Sequence, residues 1–224
     1  MNEQIVMQEA IQLKRAGRFD EARRLYHEVI NAIPHCDPAY KGLAKVEIGS
    51  GHFEQAIQAL LMKIDLGIFF TYQQCSPDQR MFMLANAMGN LFDVTSGSDV
   101  VIAEKRYTAG TVEIMCRNDP VARDIALLAW AEVDLFFYLG HCMVRLFPSA
   151  FVNYRGMDEM MSNLERALLG CQSGSDARDS EYAPMFYVSG FLLACANLQS
   201  VIPSVDSSLL RQRFCRKLDF LGLG

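Results

Sequence analysis

The sequence lacks the excess of basic residues that nucleic-acid-binding domains carry. Its 224 residues include 21 lysines and arginines against 26 aspartates and glutamates, so the formal net charge is −5. Because a nucleic-acid interface needs a positively charged face, this balance argues against a dedicated nucleic-acid-binding protein. The charged fraction is only 21% and the hydrophobic fraction is 51%. Such a chain can bury a substantial core, which excludes an intrinsically disordered protein.

Paired cysteines and targeting segments are also missing. None of the seven cysteines belongs to a Cys-x-x-Cys motif, so neither a zinc ribbon nor a disulfide framework is predicted. The scattered cysteines suit buried side chains in a reducing compartment. No basic segment followed by an apolar run opens the sequence, and the uncharged stretch 183–205 contains prolines and polar residues typical of a buried helix. We therefore expect a cytoplasmic protein without membrane insertion.

Short motifs of catalytic, metal and phosphate-binding sites are absent. The sequence contains no His-Glu-x-x-His, no Gly-x-x-x-x-Gly-Lys and no Gly-x-Ser-x-Gly. His141 and Cys142 are adjacent, and adjacent helical side chains point about 100° apart, so they form no dyad by themselves. The stretch 35–37 (HCD) lies between two prolines and is more consistent with a connector than with a metal site. We predict a protein that is not an enzyme and has no metal or cofactor.

A six-residue pattern occurs twice near the N-terminus. Residues 17–22 (GRFDEA) and 51–56 (GHFEQA) share the pattern Gly-x-Phe-acid-x-Ala at an offset of 34 residues. The second copy is preceded by Tyr40-x-x-Leu43-Ala44, and Ile33-Pro34 closes the first. Together these residues resemble the tetratricopeptide repeat over about residues 3–68.

The apolar spacing supports two helices in the first repeat, over residues 3–16 and 19–32. Gly17 ends the first of them, because glycine accepts the left-handed conformation that often follows a helix. Small residues are expected where the paired helices approach most closely, and large ones there would push the helices apart. These residues are Ala10, Ala22, Ala44 and Ala56.

Further helices are predicted along the rest of the chain. Ser76-Pro77-Asp78-Gln79 has the pattern of a helix start and opens a helix to about residue 93. Others are expected over about 99–116, 119–147, 157–169 and 180–202, with a last one from Ser204 or Asp206 to about residue 220, and no strand is predicted. The fold class is all-α, with tetratricopeptide-like hairpins continuing into an irregular α–α superhelix of about ten helices. Residues 1–224 are expected to form a single domain, with repeats at 3–70 and a degenerate helical region at 76–222 closing the solenoid.

The resemblance implies a concave groove lined by the first helix of each repeat. Lys14, Lys41 and Lys45 are expected to converge on this surface and to remain accessible, where they could bind an acidic peptide. An ordinary solvated lysine face is the alternative. In the register of the family, the groove positions are Gln4, Met7, Ile11, Lys14 and Arg15, then Pro38, Lys41, Lys45, Ile48 and Gly49.

A second candidate site lies on the long helix before Pro148. Its polar side chains recur at steps of three and four residues, which places them on one stripe. The stripe could line a ligand pocket with a titratable histidine, or it could be the exposed face of an amphipathic helix. It consists of Arg123, Asp134, Tyr138, His141 and Arg145.

The leading functional hypothesis is a non-enzymatic protein–protein interaction module, such as an adaptor, scaffold or chaperone. It would bind a protein or peptide, with an acidic segment as one candidate. The first alternative is a small-ligand-binding or enzymatic protein that uses the stripe. The second is a self-associating structural subunit. A homo-oligomer is therefore one of the candidate states of the protein.

Overall fold

The structure is a computed structural model, and it is mainly helical in the part of the chain that it describes. Its elements are α1 (Glu3–Arg15), α2 (Phe19–Ala32), α3 (Asp37–Gly49), α4 (Phe53–Gln74), β1 (Val100–Ile102), β2 (Lys105–Tyr107) and α5 (Val133–Leu146). The described residues are 3–74, 76–79, 82, 100–102, 105–107, 114, 116–118, 122–123, 125–126, 128, 133–146, 148, 190–191 and 194.

The first four helices form two hairpins that end their first helix in the same way. Gly17 and Gly51 have φ angles of 73° and 77°, the left-handed conformation that favours glycine. The N–H groups of Gly17 and Arg18 donate to carbonyl oxygens in the last turn of α1, at 3.0 and 2.9 Å. Gly51 and His52 repeat this arrangement after α3, at 3.0 and 2.8 Å. Both turns are Schellman motifs, which confirms the predicted helix end at Gly17.

The alanines predicted at the helix contacts are buried. Ala10, Ala22, Ala44 and Ala56 are all 0% exposed. Successive helices pack against one another from α1 to α4, and α1 also contacts α3. Two equivalent hairpins are therefore stacked side by side, as the 34-residue offset predicts.

Two charged side chains inside the hairpins are paired across helices. Glu47 in α3 is 4% exposed and accepts hydrogen bonds from the Arg23 guanidinium of α2, at 2.7 and 3.0 Å. Lys63 in α4 is 3% exposed, and its ammonium lies 2.5 Å from the Asp37 carboxylate at the start of α3. A buried charge is costly unless it is paired, so these contacts fix how α2, α3 and α4 sit together.

The predicted helix start after Ser76 is confirmed. The Ser76 N–H donates to Oε1 of Gln79 at 2.8 Å, and the Gln79 N–H donates to Oγ of Ser76 at 3.2 Å. This reciprocal pair is a capping box. Residues 77–79 and 82 are helical, and the predicted end near residue 93 lies outside the described residues.

The prediction of a helix over residues 99–116 is wrong at its start. β1 and β2 form an antiparallel ladder in which Val100 pairs with Tyr107 and Ile102 pairs with Lys105. Three consecutive β-branched residues, Val100 to Ile102, lose side-chain freedom in a helix and favour a strand. The helical state resumes at residues 114 and 116–118.

Helix α5 lies at the centre of the remaining described residues. It packs against α4, and its Phe136 ring lies 6.3 Å from the ring of Phe191. The buried apolar residues of the hairpins, of α5 and of residues 191 and 194 belong to one continuous cluster. The helix ends at Leu146, in agreement with the predicted end before Pro148.

Several predictions lie outside the described residues. These are the helices over 157–169 and 206–220, most of the helix over 180–202, and the full superhelix of about ten helices. Within the described residues, no helix is long and apolar enough to cross a membrane.

Candidate partner-binding site

Helices α1 and α3 bring three lysines close together. Lys41 and Lys45 lie one turn apart on α3, and Lys14 lies in the last turn of α1. The charges of Lys14 and Lys41 both act on the ammonium of Lys45. Lys14 is only 8% exposed, so the expectation that all three lysines are accessible is wrong for Lys14. Its position inside the contact between helices excludes it from water, whereas Lys41 and Lys45 are half-buried.

The polar stripe of α5 faces these lysines. The Lys41 ammonium lies 4.0 Å from the Asp134 carboxylate, and each side chain is about one-third exposed, at 28% and 34%. One turn further along both helices, the Lys45 ammonium lies 5.4 Å from the centre of the Tyr138 ring. A cation at this distance from an aromatic face is attracted to it. The two candidate sites predicted separately are therefore in contact, because Lys41 and Lys45 of α3 lie beside Asp134 and Tyr138 of α5.

The local electrostatics weaken the positive charge of Lys45. Burial, and after it the like charges of Lys14 and Lys41, lower the pKa of Lys45 to about 8. Asp134 acts in the opposite direction but does not offset these effects. Desolvation and like charges both disfavour the ammonium form, so a lysine in this position gives up its proton unusually easily.

The other groove residues differ in their exposure. Gln4, Arg15 and Pro38 are exposed, Met7 is half-buried against the apolar core, and Ile11 is half-buried. Ile48 is 3% exposed and is part of the core, so it is not available on a free surface. Of the residues predicted on α1, Gln4 and Arg15 are thus accessible, and Met7 and Ile11 are partly accessible.

The stripe residues do not form one polar surface with Asp134. Tyr138 is 9% exposed and belongs to the apolar core. His141 is 0% exposed, and its ring lies 5.7 Å from the ring of Phe53 in α4. Arg145 is exposed. The Arg123 guanidinium donates to the backbone carbonyl of Arg117 at 3.1 Å. The three residues therefore have different environments: His141 lies in the core, Arg145 is exposed, and Arg123 binds a backbone carbonyl.

The described residues contain no group of side chains that could hold a metal ion. Cys142 is fully buried, and burial raises the pKa of its thiol well above the usual value. A raised thiol pKa makes the cysteine a poor nucleophile. Cys142 therefore acts as a small apolar side chain, as the sequence indicates.

The charged pairs of Glu47 and Lys63 are missing from the sequence analysis, although the repeat register contained a signal for them. Thirty-four residues before Glu47 is Leu13, and 34 residues before Lys63 is the buried Val29. A charged residue at an apolar register position requires a partner of opposite charge. Comparing the two copies position by position would have identified both residues as paired.

The comparison with known families decides the nature of the hairpins. Residues 13–62 match the family model of the tetratricopeptide repeat. This segment is a tetratricopeptide repeat. No curated protein and no solved structure matches the chain significantly. The matched segment contains Lys14, Lys41 and Lys45, so the lysine cluster belongs to the tetratricopeptide repeats, while its facing wall comes from α5, outside the match.

Proposed function

We propose that this protein is a non-enzymatic protein–protein interaction module of the adaptor, scaffold or chaperone class. The observation that carries the proposal is the tetratricopeptide match at residues 13–62, because repeats of this family generally bind proteins or peptides. The partner segment would bind beside Lys41, Lys45 and Asp134, where side chains of α3 and α5 are in contact. The exposed Gln4 and Arg15 and the half-buried Met7 and Ile11 would provide the floor and rim on the α1 side.

The charge of this surface favours an acidic partner. The half-buried Lys41 and Lys45 lie on it beside the partly exposed Asp134, and the charge of Lys14 acts on Lys45 from α1. Charge-assisted hydrogen bonds to a carboxylate are stronger than neutral ones, particularly where water is partly excluded. A glutamate, an aspartate or a C-terminal carboxylate of the partner would provide such a group.

Asp134 would compete with the acidic partner. Its carboxylate lies 4.0 Å from the Lys41 ammonium, and both groups are partly exposed. An ion pair with this geometry contributes little to stability, so an incoming carboxylate can replace it at small cost. Removal of the Asp134 charge should therefore strengthen binding, whereas removal of the lysine charges should weaken it.

Affinity capture from the native lysate tests the proposal. The baits are the wild-type chain, the double variant Lys41→Gln with Lys45→Gln, and the variant Asp134→Asn. We expect partners whose recovery falls with the double variant, rises with Asp134→Asn and decreases with added salt, since salt screens exposed charges. Arg24→Gln is the control, because Arg24 is an exposed cation on α2, away from this surface.

Two results would reject parts of this proposal. Equal recovery of a partner by the wild type and the double variant would place its binding surface elsewhere. Recovery of a small-molecule ligand or a measured turnover that depends on Asp134, together with no captured partner, would favour the ligand-binding or enzymatic alternative. That alternative has less support, because His141 is buried against Phe53 and Arg123 holds a backbone carbonyl.

We also propose a cytoplasmic location, and self-association is the further possibility to be tested. The free, buried thiols of Cys116 and Cys142 are compatible with a reducing compartment. Sedimentation or light scattering of the purified chain tests whether it forms a homo-oligomer.

A further inference from the structure

The two half-buried lysines of α3 differ in what their ammonium groups contact. The Lys41 ammonium lies 4.0 Å from the carboxylate of Asp134. The contact that the structure describes for the Lys45 ammonium is with the ring of Tyr138, whose centre lies 5.4 Å away. A carboxylate cancels the charge of a lysine, whereas an uncharged aromatic ring attracts the cation and leaves its net charge in place. Lys45 is therefore held by α5 without being neutralised by this contact.

We propose that Tyr138 is a specificity-determining residue of the partner surface, because its ring positions the Lys45 ammonium to bind a carboxylate of an acidic partner segment. This inference rests on the proposed function. It adds to that function a residue of α5, which lies outside the tetratricopeptide match at residues 13–62. Tyr138 acts through Lys45, so it is a positioning residue, and Lys45 makes the contact with the partner.

The spacing of the residues on both helices supports this role. Lys41 and Lys45 are four residues apart on α3, and Asp134 and Tyr138 are four residues apart on α5, so each pair lies on one helix face. Tyr138 is 9% exposed and belongs to the core, where packing fixes its ring. The flexible side chain of Lys45 is thus ordered before a partner arrives, which lowers the entropy cost of binding.

The charges around Lys45 make the ring contact important for its protonation. Burial, and after it the like charges of Lys14 and Lys41, lower the pKa of Lys45 to about 8, while Asp134 acts in the opposite direction. Most of Lys45 is still the ammonium at neutral pH, and the ring of Tyr138 favours this form because it attracts cations. Without the ring, the pKa of Lys45 should fall, and the ability to bind a carboxylate should be lost at a lower pH.

A first measurement tests the contact itself and uses no partner. The full-length chain is labelled with ¹³C-lysine, and its lysine side chains are observed by NMR. Tyr138→Phe keeps the ring, Tyr138→Leu removes it, and Lys45→Gln assigns the Lys45 signal. An aromatic face shifts the resonances of nearby protons upfield. We expect this shift at the end of the Lys45 side chain in the wild type and in Tyr138→Phe, and its loss in Tyr138→Leu.

A second measurement tests the consequence for binding, with a hexaglutamate peptide as the acidic probe. Tyr138→Phe should bind it as the wild type does, and Tyr138→Leu should bind about three- to fivefold more weakly at neutral pH. In Tyr138→Leu, binding should also decline at a lower pH than in the wild type as the pH is raised. The probe should shift the Lys45 signal and leave that of Lys63 unchanged, since Lys63 is 3% exposed and paired with Asp37.

The possible results separate this inference from the proposed function. Circular dichroism checks that each variant is folded, and Arg24→Gln is the control for the loss of an exposed cation. Equal binding and equal pH profiles of the wild type and Tyr138→Leu would overturn the role of Tyr138 alone, as would the absence of an upfield shift at Lys45. No binding of the probe by the wild type, with the upfield shift present, would instead reject the acidic-partner surface and this inference with it.

Discussion

At the scale of single residues, Gly42 is required by the packing of Tyr26. A Cβ atom at Gly42 would lie 2.3 Å from Cε1 and 2.4 Å from Cζ of the Tyr26 ring. That ring is 1% exposed and belongs to the core, so it has little room to move. We expect Gly42→Ala to lower the free energy of unfolding by about 1–3 kcal/mol through overpacking, as measured by urea denaturation.

A double-mutant cycle isolates the contact between Gly42 and Tyr26. Tyr26→Leu removes the ring atoms that the new methyl group would meet. In that background Gly42→Ala should cost much less, and part of the lost stability should return because alanine favours the helix by about 1 kcal/mol over glycine. An equal cost in both backgrounds would show that the ring is not the cause.

The altered pKa of Lys45 predicts a pH dependence of stability. The pKa of Lys45 is about 8 in the folded protein and about 10.4 in an unfolded chain. Between these values the unfolded chain binds more protons, so stability rises with pH, and the full cost of the buried ammonium is present below pH 8. Lys45→Met should therefore raise the free energy of unfolding at pH 7 by about 1 kcal/mol, since partial exposure reduces the effect.

Denaturation at several pH values checks this expectation. The wild type should gain stability from pH 8 to pH 10, and Lys45→Met should gain less over the same range. The range ends at pH 10 because burial raises the pKa of Tyr26 to about 12, which removes stability as the pH rises further. If the free energy of unfolding changed with pH equally in the two proteins, the pH dependence would not come from Lys45.

At the scale of secondary-structure elements, features encoded by neighbouring residues could be predicted from the sequence. The Schellman turn at Gly17 and the capping box at Ser76 and Gln79 each depend on residues within one or two turns. The contact of Lys41 with Asp134 joins residues far apart in sequence, and no local pattern specifies such a pair. The candidate residues were therefore found as two separate groups, while the surface they share required the structure.

The strand at Val100–Ile102 shows a different reason for a wrong prediction. The β-branched residues 100–102 favour a strand, but a short apolar run is ambiguous between strand and helix, so the sequence alone also allows the helix predicted from about residue 99. Pairing with Lys105–Tyr107 decides in favour of the strand. Such pairing is a property of two segments together, so the first segment alone does not contain it.

The pair of Arg23 and Glu47 connects the two repeats at the level of helices. Glu47 is nearly buried and accepts two hydrogen bonds from Arg23, which also donates to Oγ of Ser50 at 3.0 Å. Glu47→Ala would leave the guanidinium without its main partner. Because Arg23 is about one-fifth exposed, we expect a loss of about 2 kcal/mol, less than for a fully buried pair.

A cycle with Arg23→Met and Glu47→Leu tests the coupling between these helices. Leucine restores the residue type found at the equivalent position of the first repeat, Leu13. Replacing a buried ion pair by apolar residues is often close to neutral, so the double variant should be more stable than Glu47→Ala alone. Additive single effects would mean that the two side chains do not depend on each other.

At the scale of the whole molecule, α5 links the tetratricopeptide hairpins to the described residues 190 and 191. Its residues pack against α4, and Gly190 lies against its backbone at Phe136 and Gly140. The apolar residues of all these parts form one continuous cluster. Close approach of two helix backbones needs a residue without a side chain, which explains a glycine at position 190.

Two glycine-to-alanine variants test the close contact between Gly190 and the backbone of α5. A Cβ atom at Gly190 would lie 1.9 Å from the carbonyl oxygen of Phe136, whereas one at Gly67 in α4 would meet only the end of the Leu128 side chain, at 3.0 Å. Backbone atoms in a packed helix cannot move aside as a side-chain methyl can.

We expect Gly190→Ala to lower the free energy of unfolding by about 3 kcal/mol or more, because it separates α5 from its neighbour. Gly67→Ala should cost less than about 1 kcal/mol, since leucine can change rotamer. Urea denaturation of both variants makes the comparison, and equal stability losses would contradict the close helix contact at Gly190.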